Sequence, residues 1–486
     1  MERMTGLSLV SRDRNLVAPF LLSVQKSGGA WIDIQFLRVF RLLPKKRLVA
    51  LANDKGRLVL VKLFFGKNAK RNSTREHLGV THIQNTGVAT PKLLWEGVIS
   101  DGGVLLVFEF LPDAVSLDME LQKFQVERDR LVGKVMEVMA QLHDNGVVQR
   151  DIHLENFLLS EGACYTIDGA GIRKQSQQSL PERLSLRNLS LFFAQFSAEL
   201  DDFVPPALTQ YENARNWQHD KRRLNQLMIE IQRSRETRKR SFLRKTVRDC
   251  TRFVSSSTFT RFMVCERKNF NHEMRQVIQD PDRFVDSGFI LKSGNTATVS
   301  LVKLSDRSVV IKRYNVKGFF HGLKLALRVS RARISWKNAF RLEFLGIPAL
   351  KALALIENRL GFFGSKAYLI TEYIEGPTAW EFLRASHLTD STSIEITALK
   401  DIFTKLSESQ ICHGDLKATN FLLSQHKPLL IDLDSMREFT TRKGFSDAFR
   451  HDLERFMENW RDQPAIKRGL SRLLSDLINE FEVRVN

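Results

Sequence analysis

Two stretches of the sequence each place an Asp, an Asn and a second Asp at the same spacings. The sets are Asp151, Asn156 and Asp168 in the first stretch, and Asp415, Asn420 and Asp432 in the second. In both sets the Asn follows the first Asp by five positions and the last Asp follows it by seventeen. Phosphoryl transfer from ATP needs such groups: one carboxylate to orient the acceptor hydroxyl, and a carboxylate with an amide oxygen to hold Mg²⁺. The equal spacing predicts that this chemistry is encoded twice.

The same chemistry requires a fixed cation on the nucleotide phosphates. Lys62 in "VLVKLF" and Lys312 in "VVIKRY" are each predicted on the third strand of a small sheet, where such a lysine is expected. A carboxylate on the following helix normally holds this lysine, and Glu76 is well placed for Lys62. Ser335 stands at the corresponding position of the second copy, so Lys312 lacks that partner unless Glu343 or another carboxylate replaces it.

The elements that must position these residues occur in one order, twice. Residues 39–66 contain three apolar runs with the turn signal "NDKG", which predicts an antiparallel meander. A helix and a strand follow. They are followed by a second helix, with apolar residues at three- and four-residue spacing, and then by the Asp-Asn-Asp set. This order predicts an internal repeat with a seam near residue 255, and therefore two domains, residues 15–254 and 255–486.

The composition narrows the class of protein. The 486 residues include 74 Lys plus Arg against 55 Asp plus Glu, a net charge of +19 that favours polyanionic partners. Nucleic acid is not expected, because no recognition motif accompanies the charge. The four cysteines form no CxxC pair, which suits a reducing compartment. No uncharged apolar run reaches about 18 residues, so we expect a cytoplasmic protein, or one held peripherally at the cytoplasmic face of the inner membrane.

Two basic stretches are candidates for contact with that anionic membrane surface. Residues 233–248 could bind a phosphorylated glycolipid or a membrane face, although a solvated face of a long helix explains such a run at least as well. The stretch "HGLKLALRVSRARISWKNAFR" interleaves apolar residues with its cations and could lie against a membrane.

At its motifs the chain resembles the protein-kinase-like superfamily, and within it the bacterial lipopolysaccharide core kinases that phosphorylate heptose or Kdo sugars. "QRDIHLENFLL" and "HGDLKATNFLL" resemble the catalytic loops of that family, and "YTIDGA" and "LLIDLD" resemble its metal-binding segments. The resemblance implies an α+β fold of two tandem protein-kinase-like domains, each with a small antiparallel β-rich N-lobe and a mainly helical C-lobe. ATP and Mg²⁺ would be the cofactors.

The resemblance also implies a role for each residue. The catalytic bases would be Asp151 and Asp415. Lys62, held by Glu76, and Lys312 would bind the nucleotide phosphates. The magnesium ligands would be Asn156, Asp168, Asn420 and Asp432. Neither copy has a complete G-x-G-x-x-G loop, since the first has "LLPKKRL" and the second "KSGNTAT". The nucleotide phosphates would then be contacted by backbone amides, by Lys45 and Lys46, or by Gly294. Glu76 favours the first copy as the catalyst, and the second stays a candidate.

The leading hypothesis is therefore an ATP-dependent kinase of a lipopolysaccharide core sugar, with the core glycolipid as substrate. A protein serine/threonine kinase is an alternative, although no A-P-E segment follows either "ID". A second alternative is a pseudokinase-type scaffold or regulator of lipopolysaccharide core assembly, which the missing glycine loops and Ser335 favour. A kinase of another small hydroxyl compound, such as an aminoglycoside, is a weaker alternative.

Overall fold

The computed structural model describes residues 1–12, 16–100, 102–123, 127–315, 329–360, 363–385 and 394–483. The chain forms two compact units, Met1–Arg238 (unit 1) and Lys239–Asn486 (unit 2). Both units mix helix and sheet, so the predicted α+β class is confirmed. The domain limits 15–254 and 255–486 stay a prediction.

Unit 1 begins with a sheet whose strands wrap round one apolar core. Its elements are β1 (Glu2–Met4), α1 (Gly6–Ser11), β2 (Phe20–Lys26), β3 (Trp31–Leu43), β4 (Arg47–Asp54), β5 (Arg57–Phe64), α2 (Ala69–Gln84), β6 (Leu93–Val98) and β7 (Val104–Glu109). The strand order is β1-β2-β3-β4-β5-β7-β6, and β2 also pairs with β6, so the sheet closes on itself. Alternate residues of these strands point inward, including Phe20, Phe36 and Val61, and are fully buried. The predicted meander corresponds to β3, β4 and β5.

The rest of unit 1 is mainly helical. It contains β8 (Val115–Ser116), α3 (Leu117–Lys123), α4 (Arg128–Asp144), β9 (Val147–Gln149), β10 (Phe157–Ser160), β11 (Ala163–Thr166), β12 (Ile172–Lys174), α5 (Glu182–Phe193), α6 (Val204–Ala214) and α7 (Lys221–Lys245), whose last residues lie in unit 2. Helix α4 ends where Asn145-Gly146 predicted its end, and Gly146 has a positive φ of 70°. Phe157, Phe192 and Tyr211 anchor a second apolar core beneath the Asp-Asn-Asp set.

Unit 2 also begins with a seven-stranded sheet, in the order β13-β14-β18-β19-β17-β16-β15. The elements of this part are β13 (Phe253–Ser257), β14 (Arg261–Glu266), α8 (His272–Gln279), α9 (Pro281–Ser287), β15 (Phe289–Ser293), β16 (Ala297–Lys303), β17 (Ser308–Tyr314), α10 (Arg331–Phe344), β18 (Ala352–Leu360) and β19 (Phe363–Glu372). The seam predicted near residue 255 lies in the β13–β14 hairpin. Part of the second basic stretch, residues 321–328, lies outside the described residues.

The second half of unit 2 is again mainly helical. It contains α11 (Ala379–Ala385), α12 (Ile394–Glu408), β20 (Ile411–Cys412), β21 (Phe421–Ser424), β22 (Lys427–Leu430), β23 (Arg437–Glu438), α13 (Arg442–Glu458), α14 (Pro464–Leu473) and α15 (Ser475–Glu480). Short hairpins, β10–β11 in unit 1 and β21–β22 in unit 2, link the Asn of each motif to its final Asp. The hairpins explain the shared seventeen-residue spacing, because each returns the chain to the loop it left.

Candidate functional site

In unit 1 a buried ion pair joins the sheet to helix α2. Lys62 on β5 donates through Nζ to the carboxylate of Glu76, which is fully buried. The same carboxylate accepts hydrogen bonds from the backbone N–H groups of Gly169 (3.2 Å) and Ala170 (2.9 Å). The predicted Lys62–Glu76 pair is present, and Glu76 also fixes the segment that follows Asp168.

Close backbone packing reinforces this connection. A Cβ on Gly79 of α2 would lie 1.8 Å from the carbonyl oxygen of Gly169, so no side chain fits at this position without moving the backbone. Glycine at this position therefore lets the helix approach the segment closely enough for Glu76 to reach its N–H groups.

Asp168 projects from a left-handed backbone position, with φ of 69° and ψ of 68°. Its Oδ1 lies 3.4 Å from Nη1 of Arg47 and 3.7 Å from Nζ of Lys62. Burial by itself would raise the pKa of Asp168, but the positive charges of Lys62 and Arg47 outweigh burial and hold that pKa below its ordinary value. Asp168 therefore carries a full negative charge at neutral pH.

The loop between β9 and β10 holds the other two residues of the first set. The side-chain amide of Asn156 donates through Nδ2 to the backbone carbonyl of Asp151 (2.8 Å), and Ile167 N–H donates to the carbonyl of Asn156 (2.9 Å). The Asp151 side chain is 73% exposed and lies 3.2 Å from Nε2 of His153. In this loop the Asp151 side chain is therefore exposed to solvent, whereas the hydrogen bond between Ile167 and Asn156 keeps Asn156 close to Asp168.

A cavity of about 380 Å³ opens beside these residues. Its walls come from β3, β4 and β5 on one side and from the Asn156–Asp168 hairpin on the other, with Glu109, Phe110 and Leu111 between them. Lys62, Asn156 and Asp168 all line it. Lys45 and Lys46, the cations expected to cover the phosphates, are not among its lining residues; Arg41 and Arg47 are.

The donor set of this cavity suits a hard divalent cation. Asp168 offers an ionised carboxylate, and Asn156 commits its amide nitrogen to Asp151, which leaves its amide oxygen for a ligand. Mg²⁺ takes oxygen ligands and is commonly held by one or two protein groups together with substrate phosphates. Within the described ranges no cluster of three or more His, Cys, Asp or Glu side chains could hold a metal.

Unit 2 brings its predicted residues together with different partners. Nζ of Lys312 lies 2.5 Å from Oδ1 of Asp432 and 3.0 Å from Oδ2 of Asp434. Ser335 is buried at the helix position where Glu76 stands in unit 1, and its hydroxyl bonds that of Tyr314 (3.2 Å).

The carboxylate that replaces the helix glutamate is Asp434. Its Oδ2 also accepts from Arg331 (2.9 Å), and Asp434 occupies the place in its motif that Ala170 occupies in the first. Glu343, named as a possible replacement, instead binds Arg252 (2.7 Å). Burial by itself would raise the pKa of Asp434, but the charges and hydrogen bonds of Lys312 and Arg331 together outweigh burial and lower that pKa.

The two Asp residues predicted as catalytic bases differ in their surroundings. The carboxylate of Asp415 lies 2.7 Å from Arg455 and 3.0 Å from Lys417, and its side chain is 31% exposed. Asn420 keeps the arrangement of the first loop, since its Nδ2 donates to the Asp415 carbonyl (2.8 Å). The two loops therefore share a backbone geometry but not an electrostatic setting.

Each loop is supported from below by a polar residue of the following helix. In unit 1 Asn188 of α5 bonds both the N–H (3.3 Å) and the carbonyl (2.7 Å) of Gln149. In unit 2 Asp452 of α13, at the equivalent position, accepts from the N–H groups of Gly414 (3.0 Å) and Leu416 (3.4 Å). Burial raises the pKa of Asp452.

Gln149 takes the place of the histidine of the second loop. Nε2 of Gln149 lies 3.4 Å from the Ile167 carbonyl, and Nε2 of His413 lies 2.9 Å from the equivalent carbonyl of Ile431. Both side chains are buried. The two residues make the same contact, so a histidine is not required for this loop to form.

Sequence reasoning missed Arg47, Asp434, Asn188 and Asp452. Only Asn188 and Asp452 left a signal in the chain, because they stand at equal distances beyond the first Asp of each motif. Arg47 and Asp434 gave none, since their partners lie on other elements.

Comparison with known proteins gives one family. Residues 276–476 match the model of the "Lipopolysaccharide kinase (Kdo/WaaP) family", and these residues lie within unit 2. The match confirms the resemblance that the motifs indicated, over the residues it covers.

Two curated relatives are similar to parts of the chain. The lipopolysaccharide core heptose(II) kinase WaaY of Escherichia coli (strain K12) is 26% identical over 166 residues, which cover 32% of this chain and 71% of that protein. The 3-deoxy-D-manno-octulosonic acid kinase of Actinobacillus succinogenes is 30% identical over 118 residues, 23% of this chain and 48% of that protein. The chain therefore matches less than half the length of the second relative. Both are phosphotransferases, as predicted for this chain.

Two solved structures are also similar. WaaP in complex with acyl carrier protein aligns with a TM-score of 0.32 at 20% identity, over 41% of this chain and 88% of that one. Vaccinia related kinase 3 aligns with a TM-score of 0.26 at 19% identity, over 35% of this chain and 56% of that one.

No helix of the described residues combines the length and the apolar character needed to cross a membrane.

Proposed function

We propose that this protein is an ATP- and Mg²⁺-dependent kinase that transfers the γ-phosphate to a hydroxyl of a lipopolysaccharide core sugar, and that unit 1 carries the active site. The observation that carries the proposal is the cavity where Lys62, Asn156 and Asp168 meet while Glu76 holds the lysine. Four residues from separate elements converge there in the arrangement that phosphoryl transfer needs.

Each residue has a defined task in this proposal. Lys62, held by Glu76, orients the phosphates of the nucleotide, and Arg47 adds positive charge beside Asp168. Asp168 and the amide oxygen of Asn156 would hold Mg²⁺, which would neutralise charge on the transferred phosphoryl group. Asp151, exposed at the end of β9, accepts the proton of the sugar hydroxyl and aligns it for in-line attack.

The family match and the two relatives support a core sugar as the acceptor, because both relatives are named as kinases of such sugars. We further propose that units 1 and 2 are tandem copies of one kinase-like domain, which the repeated spacings and hairpins support. A cytoplasmic location at the inner-membrane face follows from the substrate in this proposal.

A regulatory or scaffolding role is the second candidate function for unit 2. The contacts of Lys312 with Asp432 and Asp434 favour it, since the lysine and one metal ligand bind each other and the helix carboxylate is absent. Against this role, the family match lies in unit 2.

The test measures phosphate transfer from ATP to isolated lipopolysaccharide core by the purified full chain. We expect Asp151→Asn to lower kcat by about 10² to 10⁴-fold, the usual contribution of a positioned general base. The matched variant Asp415→Asn, at the same place in the second motif, should change kcat much less.

Unchanged transfer by Asp151→Asn with a large loss in Asp415→Asn would move the active site to unit 2. If neither variant, nor the double variant, altered transfer, the residue assignment would be wrong in both units. Measuring core phosphate in cells that carry the same variants checks the acceptor, because the purified assay alone does not establish which sugar is modified in the cell.

A further inference from the structure

A second and larger cavity, of about 690 Å³, lies in unit 1 outside the nucleotide cavity. It is bounded by the loop before Asp151, by α5 and by the middle of α7. Its lining includes five arginines and one glutamate: Arg150, Arg183, Arg187, Arg233, Arg238 and Glu230. We call it the arginine cavity.

Three of these arginines lack a protein partner for their charge. Among the residues that the structure describes, the guanidinium groups of Arg150, Arg183 and Arg187 form no hydrogen bond or ion pair, and all three side chains are exposed to solvent. The single lining carboxylate, Glu230, is already paired with Arg233 at 2.7 Å. The arginine cavity therefore has a strong excess of positive charge that the described part of the protein does not neutralise.

The neighbouring surface adds to this excess. Burial lowers the pKa of Arg173, and the nearby charges of Arg75 and Arg150 lower it further. Burial likewise lowers the pKa of His82, with Lys174 and Arg173 acting in the same direction. Of these cations Arg150 lines the cavity; like charges close together repel each other, and an anion bound near Arg150 relieves that repulsion.

Equivalent positions of unit 2 do not carry these charges. Counting from the first Asp of each motif, Gly414 replaces Arg150, Asp447 replaces Arg183 and His451 replaces Arg187. Helix α13 nevertheless supports its loop much as α5 does, so the fold does not need arginine at these places.

We propose that the arginine cavity binds a sugar that carries an oxyanion, either a phosphate ester or a carboxylate, as part of the acceptor of unit 1. Arginine presents planar pairs of donors that match both oxyanions. Arg150 is the residue next to Asp151, so the cavity adjoins the loop that carries the proposed catalytic base. The inference rests on the proposed function and narrows its substrate class to anionic sugars.

The first experiment measures binding, without catalysis, by titration calorimetry on the full chain. The probes are mannose 6-phosphate, mannose and inorganic phosphate. We expect mannose 6-phosphate to bind, mannose not to bind, and inorganic phosphate to bind at least about tenfold more weakly than the sugar phosphate. The double variant Arg183→Ala/Arg187→Ala should weaken mannose 6-phosphate binding at least about tenfold, as expected when charge-assisted hydrogen bonds are lost.

Two controls separate the arginine cavity from other causes. Lys221→Ala/Arg222→Ala removes the same charge from exposed positions of α7 that do not line the cavity, and should leave binding unchanged. Arg41→Ala removes an exposed charge from the nucleotide cavity and should also leave sugar-phosphate binding unchanged. Equal losses in the two double variants would show that overall charge is responsible, and would overturn the proposal. A loss of the same size in Arg41→Ala would place the probe in the nucleotide cavity and overturn it as well.

The second experiment measures steady-state transfer to lipopolysaccharide core. Arg183→Ala/Arg187→Ala should raise KM for the core acceptor by about tenfold or more, and KM for ATP should stay the same. An unchanged KM for the acceptor would overturn the role in acceptor binding. If the wild-type chain transferred no phosphate, the proposed function would fail, and the calorimetric result would still decide whether the cavity binds anionic sugars.

Discussion

The sites of units 1 and 2 solve the same problem, holding a lysine in position, with different carboxylates. In unit 1 the helix residue Glu76 reaches across to Lys62 and to the backbone after Asp168. In unit 2 the helix offers only Ser335, and the carboxylate comes from Asp434 in the segment after Asp432. The two carboxylates come from different elements, and each neutralises a lysine that is largely withdrawn from solvent.

The difference reaches further than the lysine. In unit 1 the carboxylate links helix to segment, so the position of α2 controls the lysine and Asp168 together. In unit 2 the helix contributes no carboxylate to Lys312, and α10 contacts the segment through Arg331, which donates to Asp434 (2.9 Å), and through Asn338, which donates to the carbonyls of Leu433 (2.9 Å) and Met436 (3.0 Å). We therefore expect the two sites to respond very differently to equivalent substitutions.

The largest expected difference concerns the helix position itself. Glu76→Ala leaves Lys62 buried without its partner and two backbone N–H groups without an acceptor, so we expect a loss of about 3–5 kcal/mol in the free energy of unfolding of unit 1. Ser335→Ala, its match in unit 2, removes one hydrogen bond and should cost about 1 kcal/mol. Chemical denaturation of the full chain measures both, and equal losses would contradict the comparison.

The next difference concerns pH. His143 is fully buried between Tyr211 and Asn188, and burial lowers its pKa from 6.5 to about 4. The unfolded chain then binds the extra proton first, so unit 1 loses stability as the pH falls from 6.5 to 4, by up to about 1.4 kcal/mol per pH unit. His143→Gln should flatten this dependence when unfolding is measured across that range.

In unit 2 the residue that supports the loop should give stability a pH dependence of the opposite sign. Ser407 stands where unit 1 has His143, and the loop rests on Asp452, whose pKa is raised by burial. A raised carboxyl pKa contributes stability at low pH that is lost as the pH rises through the folded-state pKa. Asp452→Asn should remove that contribution. If both variants changed the pH dependence in the same direction, the assignment of the two supports would be wrong.

A smaller loss is expected from the replacement carboxylate. Asp434→Asn removes a buried charge from Lys312 and Arg331, but Asp432 still holds the lysine, so we expect a loss of about 1–3 kcal/mol. Asp447→Asn, which breaks an exposed pair with Arg450, should cost less than about 1 kcal/mol. A loss for Asp434→Asn no larger than that of Asp447→Asn would show that Asp434 is not the substitute for Glu76.

The smallest effect is expected from exchanging the loop residues. Gln149 and His413 each form a hydrogen bond through Nε2 with an equivalent backbone carbonyl. The other polar atom of each side chain has no partner among the described residues. Gln149→His and His413→Gln should therefore change the free energy of unfolding by less than about 1 kcal/mol. A markedly larger loss in His413→Gln, measured by the same denaturation experiment, would show that the histidine does more in unit 2 than bind Ile431.

Much of this architecture could be predicted from the amino-acid sequence because it is local. The meander around "NDKG", the end of α4 before Gly146, and the return of each hairpin from Asn to Asp depend on residues close together in the chain. The Lys62–Glu76 pair could also be predicted, because a helix that directly follows the strand has few positions from which a carboxylate can contact the lysine.

The remaining features were decided by tertiary structure. Asp434 replaces Glu76 only because the segment after Asp432 lies next to β17, and Arg47 reaches Asp168 across the cavity from β4. The arginine cavity draws its charges from a loop and two helices that are far apart in the chain. Local spacing determines which residues follow one another through a turn, whereas burial and charge balance act on residues that only the folded chain brings together.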